Sequence, residues 1–165
     1  MIAKLLVPLA AAALAAPSAN AIYPLQAFKI VLPKVKSHTK TAILLPANLT
    51  TAGRTPKLYA TGTGTAAAWD LELAGAANCG GANACFIASF EGKRGGKLPG
   101  KSNLRLANGD AAYYHPISCG ASCAPATLWF VHQAVLYTWQ LKDAPKNAKT
   151  MLRKAAESAI AAGQR

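Results

Sequence analysis

Acidic residues are scarce in this chain: 165 residues include 6 Asp+Glu against 18 Lys+Arg, a formal net charge of +12. Paired carboxylates of the kind glycoside hydrolysis requires are correspondingly few. No G-x-S-x-G elbow frames a serine as an activated nucleophile. Long apolar runs are missing too. The longest, Leu5 to Ala16, is broken by Pro8 and falls short of the roughly 20 residues that a membrane-spanning helix needs, so no permanent transmembrane helix is expected. With 52% hydrophobic and only 15% charged residues, the composition excludes a disordered chain. The length favours one domain and leaves no room for a second catalytic or regulatory one.

The amino terminus has the layout of an export signal. Lys4 charges a short leading region, Leu5 to Ala16 is apolar, and Ala19 and Ala21 are the small residues at positions −3 and −1 of a cut after Ala21. Pro8 and Pro17 would break a buried helix there. The division expected is therefore a signal peptide over 1–21 and a single exported domain over 22–165. No Cys follows the cut, so no lipid anchor is implied.

Four cysteines, Cys79, Cys85, Cys119 and Cys123, remain in a chain bound for an oxidising compartment. Two disulfides are expected and three pairings are possible. The local pairs Cys79–Cys85 and Cys119–Cys123 are favoured, because each lies in a Gly/Ala/Ser-rich segment able to turn sharply. A zinc site from Cys119, Cys123 and His115 is the alternative, although structural zinc usually takes four ligands at paired spacings. A thioredoxin-like role is disfavoured by the three-residue spacer Gly120-Ala121-Ser122.

Along the exported part, Ile22 to Lys40 reads as a basic lead-in whose periodicity is interrupted by Pro24 and Pro33, and Ala42 to Leu45 as an apolar run stopped by Pro46. Asn48-Leu49-Thr50 is a glycosylation triplet only in a eukaryotic host. Trp69, Leu71 and Leu73 alternate with Asp70 and Glu72, as on a half-buried strand. Ala84 to Glu91 predicts a second strand. Asn108-Gly109 between two strand-like runs predicts a type I′ hairpin. A further hairpin is expected from Thr127 to Leu141, with His132-Gln133 near its turn. From Pro145 to Ala162 the period becomes helical, through Ala148, Met151, Leu152, Ala155, Ala159 and Ile160, with Gly163 as a stop. The fold class expected is α+β, an antiparallel meander sheet with a carboxy-terminal amphipathic helix packed on it.

Gly95 to Ser102 matches G-x-x-x-x-G-K-[ST], but a phosphate loop needs a helix after it, and a hairpin is predicted there instead. Gly92 to Lys101 therefore reads as a flexible cationic hairpin loop, and no nucleotide or other cofactor is expected. The catalytic sets open to test are His115 or His132 with Asp110 and Ser118; without a framing motif, His115 reads as a loop residue and His132 as a turn residue. The aromatics alternate within strands as core residues do, so nucleic acid is not an expected partner. The positive charge lies in Lys29 to Lys40, Lys93 to Arg105 and Lys142 to Lys154. Its surface candidates are Lys93, Arg94, Lys97, Lys101, Lys146 and Lys149, the last two near the positive end of the final helix.

Trp129, Tyr137 and the helix carrying Ala155-Ala156-Glu157-Ser158-Ala159-Ile160 resemble the closing unit of LolA/RseB-like exported bacterial domains. The resemblance implies a curved antiparallel sheet that cradles lipids or lipoprotein acyl chains, or that senses envelope stress. It covers a small part of the chain, which lacks a Gly between Trp129 and Tyr137 and is shorter than those domains. Cys79-Gly80-Gly81-Ala82-Asn83-Ala84-Cys85 and Cys119-Gly120-Ala121-Ser122-Cys123 resemble motifs of a small family of uncharacterised exported bacterial proteins. The reading as a whole is a non-enzymatic exported envelope protein, periplasmic or secreted, that binds or senses a lipid or other anionic envelope component. Two alternatives stand beside it: a secreted cationic protein acting on wall polymer or membrane through charge, and a hydrolase with a dispersed site.

Overall fold

The computed structural model describes residues 20–53, 56–79 and 82–164. The expected signal segment before residue 20 lies outside them. Along the chain run β1 (Ala21–Ile22), α1 (Pro24–Ala27), α2 (Leu32–His38), β2 (Leu49–Thr50), β3 (Tyr59–Thr65), β4 (Ala68–Ala74), β5 (Phe86–Arg94), β6 (Leu104–Arg105), β7 (Ala111–His115), β8 (Ser118–Cys119), β9 (Cys123–Ala124), β10 (Ala126–His132), β11 (Val135–Leu141) and α3 (Ala148–Ala162). Seven strands form one antiparallel sheet in the order β3-β4-β5-β11-β10-β7-β6, and β1-β2 and β8-β9 are separate two-stranded ribbons. The class is the α+β arrangement predicted. The strand order adds one crossover to the meander: β5 pairs with β11, so the chain leaving Arg94 must cross to the far edge before it returns strand by strand.

One sheet face carries the core. Side chains alternate across each strand, so Trp69, Leu71 and Leu73, Ala88 and Phe90, Tyr137, Trp139 and Leu141, and Leu128 and Phe130 share that face, all buried. Register sets Trp139 opposite both Phe90 and Leu128, and Tyr137 opposite both Gly92 and Phe130. Phe130 stacks on Tyr137 at 5.0 Å between ring centroids, and its edge-on contact with Trp139 is 5.2 Å. The face is closed by Phe28 and Val35, by the extended run Ile43-Leu44-Leu45, and by Leu152, Ala156 and Ala159 of α3. The small alanines let α3 lie close to the sheet, and Gly163 ends it at φ 78°.

Several local expectations are corrected. Ile22 to Lys40 is not a loose lead-in: it forms α1 and α2, and its Phe28 is fully buried against Phe90 at 5.8 Å. Pro24 and Pro33 stand in the first turns of these helices, where a proline lacks no hydrogen bond the helix would make. Asn108-Gly109 is not a type I′ turn. Only Gly109 has positive φ, 89°, and its N–H bonds Leu106 three residues back. The tight two-residue turn with both residues left-handed is Gln133-Ala134, at φ 49° and 60°, and His132 is the last residue of β10. His115 ends β7 rather than lying in a loop, and Gly92, Lys93 and Arg94 belong to β5. The final helix starts at Ala148, after Lys146. Ahead of α1, β1 pairs with β2, Asn20 exchanges hydrogen bonds with Thr51 and Ile22 is 1% exposed.

Two consequences are testable. A Cβ on Gly92 would stand 2.4 Å from Trp69 Nε1, so Gly92→Ala overpacks the core face and is expected to lower unfolding free energy by about 1–3 kcal/mol in denaturant titration. Conversely, left-handed residues with a Cβ are strained. Gln133→Asn with Ala134→Gly is therefore expected to raise the unfolding free energy by about 0.5–1 kcal/mol, read as a higher denaturant midpoint with the m-value unchanged.

Candidate functional site

The crossover from β5 to β6 makes the most prominent charged feature. It traverses the positions of β11, β10 and β7, four strand spacings or roughly 19 Å at about 4.8 Å each. Gly95 turns the chain at φ 68°, and its N–H donates to Ala134 at the β10–β11 turn. The segment then lies against the sheet face opposite the core. A Cβ on Gly96 would stand 2.7 Å from Leu136 Cβ, and one on Gly100 3.8 Å from Tyr113 Cε2. Ser102 Oγ closes the strap by donating to the carbonyls of Leu104 and Ala112. Lys93, Arg94, Lys97 and Lys101 are all exposed on or beside it. Arg94 Nη2 donates to the Lys40 carbonyl at 2.8 Å, which ties the strap's root to the end of α2.

Lys93 and Arg94 lie at the end of the sheet where β10 turns into β11, and the strap carries Lys97 and Lys101 from there across the face toward Tyr113 and Tyr114, whereas Lys146 and Lys149 flank the start of α3, beyond Leu141. The six candidates thus form two groups. Among the described residues, Arg153 is the one Lys or Arg side chain within 4.0 Å of a carboxylate, that of Glu157. The strap ends in β6 rather than a helix, so Gly95 to Ser102 has the sequence of a phosphate loop without its helix terminus.

Both disulfides are the local pairs, Cys79–Cys85 and Cys119–Cys123, with Cα separations of 5.7 and 4.0 Å. They brace the β4–β5 and β7–β10 connections, at the end of the sheet away from the strap's root. Disulfide bonding removes the two thiols that the zinc alternative needed, and His115 pairs in register with Thr127. Of the catalytic sets, the fold assembles one pair: His132 Nδ1 donates to Asp110 Oδ2 at 2.6 Å, and Asn108 Nδ2 donates to the same oxygen at 2.7 Å. Ser118 is far along the strand direction, in the exposed β8–β9 ribbon. The histidine and aspartate therefore have no serine from that set and instead fasten the β6–β7 turn to the end of β10.

Sequence reading missed a cluster that depends on register. Asp70 faces Glu91 directly across β4 and β5, and Glu72 stands two residues along on the same side. These are half of the 6 Asp+Glu in the chain. An open cavity of about 290 Å³ runs past Thr63, Thr65, Asp70, Glu91 and Lys93. Burial raises the Asp70 carboxyl above its ordinary 3.8, helped by Glu72, and raises Glu91 above 4.5, helped by Asp70. The alternation of β4 gave the face, but Glu91 could be placed opposite Asp70 only once strand pairing was known. Another open cleft, about 340 Å³, lies elsewhere, between α3 and the exposed Asn48, lined by Thr150, Lys154 and Ser158 together with Met151 and Ala155.

Comparison with known protein families, with curated proteins and with solved structures gives no match.

The carboxylates make a signed prediction. A carboxyl whose folded pKa is raised holds its proton more tightly in the folded state, so that stability is fully present below its ordinary value and is lost as pH rises through the folded value. Asp70→Asn is therefore expected to raise the unfolding midpoint at pH 7, with the gain shrinking toward zero as the pH is lowered below 3.8. A gain independent of pH would contradict the electrostatic account.

Proposed function

We propose that this chain is an exported, non-catalytic binding domain that holds an anionic component of the cell envelope on its β5–β6 strap. The observation that carries the reading is the exposure of Lys93, Arg94, Lys97 and Lys101 along one connection, with no carboxylate of the described residues in ion-pair range. A net charge of +12 adds a long-range attraction to anionic surfaces. Two disulfides support an oxidising compartment, and no helix among the described residues is long and apolar enough to cross a membrane.

The same geometry argues for surface rather than cavity binding. A lipid-cradling sheet needs an open concavity, whereas here the apolar face is filled by α1, α2, residues 43–45 and α3, with Phe28, Phe90, Phe130 and Trp139 all fully buried. The clefts beside the core are open, and the one of about 340 Å³ along α3 has a mixed lining, Asn48, Thr150 and Lys154 together with Ala47, Met151 and Ala155.

The test is co-sedimentation with vesicles of phosphatidylcholine alone or with added phosphatidylglycerol, and with an insoluble phosphate-bearing wall polymer. Each lysine near an anionic surface contributes about 1 kcal/mol. Replacing Lys93, Lys97 and Lys101 by Ser is thus expected to weaken binding roughly a hundredfold, whereas Lys146→Ser with Lys149→Ser leaves most of it. Binding should also collapse between about 0.01 and 0.15 M salt, as the screening length falls from roughly 30 to 8 Å. Salt-independent binding, or equal losses from both sets, would overturn the strap as the site.

A further inference from the structure

The two edges of the large sheet differ. At one edge β6 is two residues long, Leu104–Arg105, and Arg105 is exposed on it. The other edge, β3, has seven residues of sequence Tyr-Ala-Thr-Gly-Thr-Gly-Thr with no charge and no proline, and it pairs with β4 over its whole length. In an antiparallel pair, alternate residues direct their N–H and C=O away from the partner strand. Among the described residues no strand pairs with that outer side of β3. A long, uncharged, unblocked edge is a template for another strand.

Helix α2 turns this edge into a groove. Gly62 and Gly64 let it approach: a Cβ on Gly62 would stand 3.0 Å from Val35 Cγ2, and one on Gly64 2.8 Å from the Val35 carbonyl oxygen. Val35 is buried, while Lys34 and His38, one helical turn apart, are exposed and line an open cavity of about 160 Å³ with Gly62, Thr63 and Gly64. Lys57 stands just before the start of β3, with its ammonium 5.3 Å from the Tyr59 ring centre. At the far end, the Lys40 N–H donates to Ala66 in the β3–β4 turn. Cations thus bracket the edge at both ends and along its helical wall. A second copy of this chain would bring the same cations against them, which disfavours self-pairing.

We infer that the groove between β3 and α2 receives an extended acidic segment of a partner polypeptide, which adds as an eighth strand to β3 with carboxylates beside Lys34 and Lys57. Backbone hydrogen bonds along β3 supply affinity, and the flanking cations supply selection by charge. This site is separate from the β5–β6 strap and shares none of its tested lysines.

The probe is a fluorescent ten-residue peptide alternating valine and glutamate. Its controls are a valine–lysine counterpart and a version N-methylated at alternate backbone amides. The full chain is expected to bind the acidic peptide, to slow amide exchange on alternate residues of β3, and to ignore both controls. Lys34→Glu with Lys57→Glu, both exposed positions, should weaken binding at least tenfold without changing the melting temperature by more than a few degrees. Lys93, Lys97 and Lys101 replaced by Ser should leave it within about twofold, which separates failure of this site from failure of the strap. The inference is overturned if no binding is detected at millimolar peptide, if the N-methylated peptide binds equally, if amide protection maps elsewhere, or if the chain dimerises through β3.

Discussion

The structure depends on a single carbonyl, that of Ala42. Trp69 Nε1 donates to it at 2.9 Å from β4, and the Tyr137 hydroxyl donates to it at 3.1 Å from β11. The two strands lie on either side of β5, so the pair of bonds fastens the extended run 41–45 across three strands. That run brings Ile43, Leu44 and Leu45 onto the apolar face, each at most 3% exposed. The clamp in turn needs Gly92, because Trp69 lies where any side chain on the intervening β5 would stand. Burial pushes the Tyr137 phenol up to about 12, so the hydroxyl keeps its proton and remains a donor throughout the physiological range. A buried carbonyl without partners would cost about 1–3 kcal/mol, and here both lone pairs are engaged.

Topology, more than local sequence, decides where the chemistry lies. Because β5 pairs with β11, the connection after Arg94 has to traverse the sheet, and the residues of that connection become a strap across the polar face instead of a compact hairpin turn. Its lysines are carried over the sheet by this route. On its other side β5 pairs with β4, which places Glu91 opposite Asp70, a like-charge juxtaposition that the core does not require. A basic protein thus carries half of its few carboxylates together, partly desolvated, with Lys93 two residues from Glu91 on the same strand.

How much of this was legible follows from the range of each signal. Trp69, Leu71 and Leu73 announce their face because a strand's period is two and is local. The cysteine pairs were legible because each closes a short loop, of separation 6 and 4 residues. Helix α3 was readable from its apolar stripe, although in an alanine-rich helix the spacing marked Ala155 and passed over the fully buried Ala156 beside it. The first helices were not readable, since Pro24 and Pro33 act as breakers inside a helix and as good residues in its first turn, and only the fold distinguishes the two. Gln133-Ala134 carries no Gly or Asn to mark a left-handed turn; the seven-residue pairing of β10 with β11 imposes it. The candidate cations were legible as residues but not as a group, because the path of the strap that carries four of them across the sheet depends on strand order.

The two sheet edges show what the remaining acids do. β6 contributes only two residues, too little pairing to hold an edge, and side chains make up the difference. The Ala107 N–H in the β6–β7 turn donates to Glu157 Oε1 of α3 at 2.8 Å, and Asp110 at the end of that turn holds His132 of β10. Asn103 adds two bonds to the backbone of Tyr114 on β7. The turn is thereby gripped from the helix on one side and from the sheet on the other, by carboxylates used as acceptors. β3 has no comparable clamp. Its seven residues are held by β4 and by the close approach of α2 over Gly62 and Gly64, contacts that leave its outer backbone groups unengaged by the described chain. One edge is thus short and closed by its own side chains, and the other is long and bare beside a basic helix. The difference rests on length, composition and the placement of two glycines, each specified by the sequence independently of the sheet's interior.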